Sequence, residues 1–312
     1  MSAATPRPAR APWRGRWRSQ RARETIAAWL FLAPSTLHFV VFTIGALIAS
    51  LVISTWQWDL VTPHTFVGLD NYAELFRDPQ FFTSLGVTLL YCVITIPSGI
   101  VLGMLIALAL NQKLRGMTTF RFIYFIPYVA PVAAVALLWR WMYNSQYGIL
   151  NWFLSALVPG EVSIDWLGEP RLAIVAAAIM DVWKNLGWSV TLFTAGLLAI
   201  PAHYYEAAEL DGASAWQRFR YVTFPLLTPT TFFLVVMGVI GSFQVFDSIY
   251  LMLGDTPNSQ ATTYNFYIWQ QGFRYSNMGY AAALSWVLFA IIGVLTFLQF
   301  RFLNKRVNYE LG

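Results

Sequence analysis

The chain has 312 residues, of which 57% are hydrophobic and 11% charged, with a formal net charge of +5. Soluble chains carry about 25% charged residues on average, so this balance excludes an ordinary soluble domain and points to an integral membrane protein. The single cysteine, Cys92, excludes a disulfide framework and a cysteine-based metal site.

A helix crossing the hydrocarbon core needs about 20 mostly apolar residues. Six stretches qualify: Ile26–Ser54, Phe82–Leu110, Phe122–Tyr143, Leu172–Ile200, Phe232–Met252 and Tyr280–Leu303. The expected fold class is therefore all-α, a polytopic membrane protein of six transmembrane helices spanning residues 26–303. Residues 1–25, rich in Arg, Pro and Ala, read as a disordered basic tail, and residues 304–312 as a second tail. The apolar run after residue 25 is too long for the core of a cleavable signal peptide.

Basic residues alternate sharply from side to side. One side takes Arg7, Arg10, Arg14, Arg16, Arg18, Arg21 and Arg23, then Lys113, Arg115 and Arg121, then Arg218 and Arg220, then Arg301, Lys305 and Arg306. The other takes only Arg77, Arg140, Arg171 and Arg274, while Lys184 falls inside the fourth span. The positive-inside rule puts both termini in the cytoplasm. The basic surplus thus marks topology and contact with anionic lipid rather than a nucleic-acid partner.

The loops Gln57–Gln80, Asn144–Glu169 and Leu253–Asn277 then face outward. They are large enough for a partner protein to grip, and their aromatic residues also suit interface belts. In the second span, Gly99 and Gly103 form a GxxxG pair suited to close helix packing. Pro127 and Pro131 kink or begin the third.

Charged side chains within a membrane usually pair or line a cavity. In "MDVWKNLGW", Asp181 and Lys184 are three residues apart and can neutralise each other on one helix face. The competing reading interrupts the helix at Asn185–Gly187, with Trp183, Asn185 and Trp188 lining a pathway. In "GSFQVFDSIYLM", Gln244, Asp247, Ser248 and Leu251 follow helical spacing and form one stripe. That stripe suits either hydrogen bonding between helices or, beside Phe243, Phe246 and Tyr250, recognition of a sugar's hydroxyls and apolar ring face.

No phosphate-binding GxxxxGK[ST] loop occurs, and His38, His64 and His203 lack metal-ligand spacing. No GxSxG elbow is present either. The chain is therefore expected to be a non-enzyme that binds no cofactor.

The stretch YYEAAELDGASAWQRFRYVTFPLLTP, Tyr204–Pro229, lies between the fourth and fifth spans. Pro201 suits a first helical turn, and Glu206, Ala207, Ala208, Glu209 and Leu210 are good helix formers. Gly212 suits the left-handed residue that ends a helix, and a second short helix follows from Ala213 to Phe224-Pro225. The result is a cytoplasmic helix–turn–helix with small and acidic residues on display.

Glu206-Ala207-Ala208, Asp211-Gly212-Ala213 and Phe224-Pro225 resemble the EAA loop of ABC importer permeases, with Val222 and Phe224 in place of the usual Ile and Leu. The segments "FVGLDNY", "YVAPVAAVALLWRWMY", "YGILN", "AGLLAIP" and "SFQVFDSIYLM" resemble the carbohydrate-uptake branch, of the maltose (MalF) and glycerophosphate (UgpA) type. The first outer loop lacks a large inserted domain, and Gly254-Asp255-Thr256-Pro257 departs from the branch's Gly-rich turn.

The resemblance, which covers residues 26–303, implies a type I ABC importer permease fold in the bacterial cytoplasmic (inner) membrane. It implies an EAA loop at 201–225 in which Glu206, Ala207, Ala208, Glu209, Asp211, Gly212 and Ala213 couple to an ATPase. It also implies these partners: a second, MalG/UgpE-like permease, two ATPase subunits that carry ATP and Mg, an extracytoplasmic substrate-binding protein, membrane lipid and a sugar. The alternatives are a glycerol-3-phosphate or glycerophosphodiester importer, and a secondary transporter working alone. A non-transporting scaffold is disfavoured by the polar residues at mid-membrane.

Overall fold

The computed structural model describes residues 13–111, 117–158, 160, 162–254 and 259–303. Lys113, Arg115, Asp255, Thr256, Pro257, Lys305 and Arg306 lie outside them. The chain divides into two compact units, residues 1–53 and 54–312.

The described part of the first unit is a single long helix. α1 (Trp13–His38) passes through a π-helical turn (Phe39–Ile44) into α2 (Gly45–Ile53). Residues 13–25, expected to be disordered, form the first turns of α1. Arg, Gln and Ala are good helix formers and extend a helix already nucleated by the apolar run. From Gln20 to Ile53 the helix is apolar enough to cross a membrane.

The second unit opens with a short hairpin, β1 (Trp56–Gln57) paired antiparallel with β2 (Thr65–Phe66). α3 (Asp70–Leu75) follows, then α4 (Pro79–Leu110). The buried Asn71 donates to the carbonyls of Ser54 and Trp56, each at 2.9 Å, which ties the hairpin to α3. Asp78 caps α4 by accepting from the Gln80 amide at 2.8 Å. Its other oxygen accepts from the phenols of Tyr267 and Tyr280. Burial raises Tyr267 above the ordinary phenol range, with Asp78 acting in the same direction, so Tyr267 stays protonated as the donor.

The third span is broken. α5 (Met117–Val129) and α6 (Val132–Met142) meet at 102°. Pro131 has no N–H to continue the ladder and disfavours helical backbone at Ala130. α7 (Ile149–Leu157) is held by Asn151, which donates to the carbonyls of Ser145 and Ile164 and accepts from the Trp166 indole.

The expected interruption at Asn185–Gly187 is not found: α8 (Pro170–Ala199) runs unbroken through 30 residues. Asn185 does not open the ladder, and its side-chain amide donates to the Asp181 carbonyl one turn back at 2.9 Å. Gly187 serves packing instead. A Cβ there would lie 2.4 Å from the Tyr124 carbonyl oxygen, so α5 can approach only a glycine. Gly103 does the same where α4 meets α8, since its Cβ would lie 2.6 Å from the Ser189 Cβ. Gly99 has open space around it, so only one glycine of the GxxxG pair is a packing residue.

After α8 the chain turns by 67° into α9 (Ala202–Leu210). α10 (Ala215–Arg218) continues through a π-helical turn (Phe219–Thr223) into α11 (Phe224–Leu226). α12 (Thr228–Phe243) sets off at 58° from that run.

The fifth span breaks as well. α12 ends at Phe243, and α13 (Asp247–Leu253) restarts after Phe246, whose φ is −142°. The freed carbonyls of Gln244 and Val245 accept from Asn265 at 2.8 Å and Thr263 at 3.3 Å. Thr263 is the N-cap of α14 (Tyr264–Trp269) and Asn265 lies in its first turn; the helix follows a 3-10 turn at Ser259–Ala261. A π-helical turn (Gln270–Arg274) then leads to α15 (Met278–Phe302). Together the straight helices and the bent pairs give up to six membrane crossings among the described residues.

The core follows from this arrangement. Small residues of α8 (Ala173, Ala176, Ala177) pack with Tyr91, Val135 and Ile249, while Met104, Phe193 and Leu227 fill the opposite end. A third cluster joins Leu75, Tyr264 and Leu284.

Candidate functional site

A cavity of about 480 Å³ opens between α4, α8 and α12 where the two broken spans meet them. Asp181, Lys184, Asn185 and Trp188 line it from α8. Tyr91, Thr95 and Gly99 line it from α4, Tyr128 from the end of α5, and Gln244, Phe246, Asp247 and Ser248 from the break between α12 and α13.

The sequence-derived pathway residues therefore converge, with one exception. Asn185, Trp188, Gln244, Asp247 and Ser248 share the cavity. Trp183 points elsewhere, toward Trp139, with ring centroids 5.6 Å apart. Gln244, Asp247, Ser248 and Leu251 are not one helical stripe, because Gln244 ends α12 and Asp247 begins α13. The break itself turns Gln244, Asp247 and Ser248 toward the same space. Phe243 is buried in the core, whereas Phe246 reaches the cavity and stacks on Tyr250 at 5.5 Å.

Asp181 and Lys184 do not pair with each other. The Asp181 carboxylate accepts from the Tyr91 phenol and, at 2.7 Å, from the Ser248 hydroxyl. Lys184 Nζ donates to the Tyr128 carbonyl at 3.2 Å and sits 5.8 Å from the centre of the Tyr128 ring. Trp188 stacks on that ring at 5.6 Å. Thr95 and Ser242 place their hydroxyl oxygens 3.2 Å apart across α4 and α12. The cavity thus offers a flat aromatic wall beside hydroxyl, amide and carboxylate groups, the combination that orients a polar ligand with apolar faces.

Tyr91 and Thr95 were not singled out in the sequence reading. The signal was present: Tyr91, Thr95 and Gly99 recur every four residues in an otherwise apolar span, which places them on one helix face.

The second site is the knob between α8 and α12. Glu206, Ala207, Ala208 and Glu209 lie on α9, which buries no residue. Asp211 is its C-cap, and Gly212 follows at φ +76°. The Ala213 amide donates to the Ala208 carbonyl at 2.9 Å and the Gly212 amide to the Glu209 carbonyl at 3.0 Å, a Schellman closure. Pro201 proves to be the N-cap rather than a helical residue, and the second helix starts at Ala215 rather than Ala213. Ser214 sets that start, because it and Gln217 form a reciprocal capping box. Arg218 reaches back to pair with Glu209 across the two short helices. Leu210 is 90% exposed and Trp216 69%, apolar surface that a solvated linker would not display.

Residues 99–309 match the family described as "Binding-protein-dependent transport system inner membrane component". Among curated relatives, the probable ABC transporter permease protein YesP of Bacillus subtilis is 34% identical over 92% of this chain and 94% of its own length. The trehalose/maltose transport system permease protein MalF of Thermococcus litoralis is 35% identical over 88% of this chain and 90% of its own. The sn-glycerol-3-phosphate transport system permease protein UgpA of Agrobacterium fabrum is 34% identical over 91% and 97%. A solved bacterial alginate ABC transporter, in complex with an alginate pentasaccharide-bound periplasmic protein, contains a chain of the same fold. Its TM-score is 0.80 at 22% identity, with 90% of this chain and 94% of that one covered. The chain therefore belongs to the ABC transporter permeases that form the inner-membrane component of binding-protein-dependent transport systems, a transport component and not an enzyme.

Proposed function

We propose that the chain is one permease subunit of an ATP-driven sugar importer, supplying half of the translocation pathway and drawing its energy through the 201–225 loop. One observation carries this reading. The knob is spliced into the covalent connection between α8 and α12, the two helices that form facing walls of the cavity. A displacement of the knob therefore acts on both walls at once.

Glu206, Ala207, Ala208, Glu209, Asp211, Gly212 and Ala213 dock in a cleft of a cytoplasmic ATPase subunit. ATP and Mg bind to that partner, since this chain has no phosphate-binding loop. Closure of an ATPase dimer rocks this subunit against a second, similar permease, a shift in population between inward- and outward-facing states. An extracytoplasmic binding protein delivers the sugar to the opposite side. Both termini face the cytoplasm in this reading, which the distribution of Lys and Arg supports.

Asn185, Trp188, Gln244, Asp247 and Ser248 line the route, and Trp188 offers a ring face to the sugar. The similar trehalose/maltose permease and alginate transporter support a carbohydrate cargo. The UgpA relative keeps a glycerophosphate cargo as the second reading. A neutral sugar is favoured because Lys184 already serves the Tyr128 carbonyl and ring.

The test is site-directed cross-linking in the native assembly, in a Cys92→Ser background with Ala207→Cys. The expected result is a cross-link to the ATPase subunit. Labelling of that position without any cross-link to an ATPase refutes the docking role.

A further inference from the structure

We propose that Asp181 and Lys184 are positioning residues, each anchoring one of the two broken spans to the unbroken α8, and are neither a mutual ion pair nor ligands for the cargo. The proposal goes beyond the transport reading, because it concerns what holds the cavity walls in place whatever crosses them.

A broken helix leaves its last carbonyls without internal partners, and within a membrane such groups must be satisfied by the protein. At the first break, Pro131 has no N–H for the Pro127 carbonyl. The donor that would serve Tyr128 in a continuous helix, the Val132 amide, opens α6 at 102° to α5. Lys184 Nζ, 3.2 Å from the Tyr128 carbonyl, replaces it. The ammonium also brings positive charge to the C-terminal end of a 13-residue helix, where the macrodipole favours it. Gly187 and Trp188 complete the seat, the first by admitting the Tyr124 carbonyl and the second by stacking on Tyr128.

At the second break, α13 restarts at Asp247. Ser248, in its first turn, donates to Asp181. Tyr91 donates to the same carboxylate oxygen, so one acidic group joins α4, α8 and α13. Spacing of three residues puts Asp181 and Lys184 on one face of α8, yet their side chains serve different helices.

The test is a double-mutant cycle on the full chain in its native assembly, read by thermal unfolding. Asp181→Asn and Lys184→Met are each expected to lower Tm, with the double variant falling clearly further than either single variant because each removes a different anchor. A double variant no worse than one single variant overturns the proposal, as does restoration of Tm by the exchange Asp181→Lys with Lys184→Asp. Where Asp181→Asn does not assemble, Ser248→Ala removes the same anchor and replaces it in the cycle.

A second readout is local. Spin labels on Ile123→Cys and Leu137→Cys, both exposed and on either side of the first break, report the angle between α5 and α6 in a Cys92→Ser background. Lys184→Met is expected to shift or broaden that distance, Lys184→Gln to keep it by retaining a donor, and Asp181→Asn to leave it unchanged. An unchanged distance in Lys184→Met, or the same change in Asp181→Asn, overturns the assignment.

Discussion

Substituting Gly212 by valine isolates what the knob's geometry is worth. Gly212 lies at φ +76°, where an L-residue is disfavoured by about 1–2 kcal/mol, and β-branching makes valine one of the worst choices. A Cβ at this position would meet no other atom within 4 Å. The penalty is therefore conformational and does not arise from crowding. It falls on the two closing hydrogen bonds, Ala213 to Ala208 and Gly212 to Glu209. Because α9 buries no residue, the loss stays local and the melting temperature of the assembly is expected to change little. Opening of the turn rises by roughly 5–30-fold, the factor that corresponds to one or two kcal/mol. Hydrogen exchange on the native assembly reads this directly as faster exchange at the amides of residues 212 and 213. Retention of the ATPase subunit during purification should fall in parallel. Gly212→Asn, which tolerates the left-handed region, should behave close to the parent. If Gly212→Val exchanges and retains its partner like the parent, or if Gly212→Asn is equally impaired, the reasoning fails.

Gln244→Ala and Asp247→Ala should each reduce uptake by the reconstituted assembly while leaving its composition on size exclusion unchanged; normal uptake in both would remove the break from the pathway. Gly103→Ala should lower Tm, through an overpacking cost of about 1–3 kcal/mol where α4 meets Ser189 of α8. Gly99→Ala, with open space around it, should be neutral or gain up to about 1 kcal/mol from helix propensity. Equal Tm values for that pair would contradict the packing. Gly187→Ala should also be destabilising, since the obstruction is the Tyr124 backbone oxygen and no rotamer change relieves it.

The spans and the knob were legible because their signals are local. Hydrophobic length marks the crossings, and the Glu206-Ala207-Ala208 run and Gly212 act within a few residues of themselves; the equally local Ser214–Gln217 box was overlooked, which started the second helix two residues early. The break in the fifth span was not legible. No proline or glycine lies at Gln244, Val245 or Phe246, and the groups that stabilise the break, Thr263 and Asn265, arrive from far along the chain. In a membrane a helix can open wherever other parts of the protein accept its freed carbonyls, so the cause is tertiary. The fourth span misled in the opposite direction. Gly187 carries a breaker's composition but fills a packing role that appears only once α5 lies against it. The residues of the two spans still met in one cavity because each was polar at membrane depth, a signal that survives an error in helix continuity. Tyr91 shows the limit of treating a span by its apolar majority: one phenol among aliphatic neighbours proved to be a partner of Asp181.

The proposed function is that this permease moves a sugar with energy received from a partner ATPase. It is tested most directly by uptake into sealed vesicles that hold the chain in its native assembly, using the sugar that its cognate binding protein retains. The prediction is uptake that requires both ATP on the cytoplasmic side and binding protein on the other, and that stops when either is withheld. Uptake by this chain alone, driven by an ion gradient without ATP, would contradict the claim.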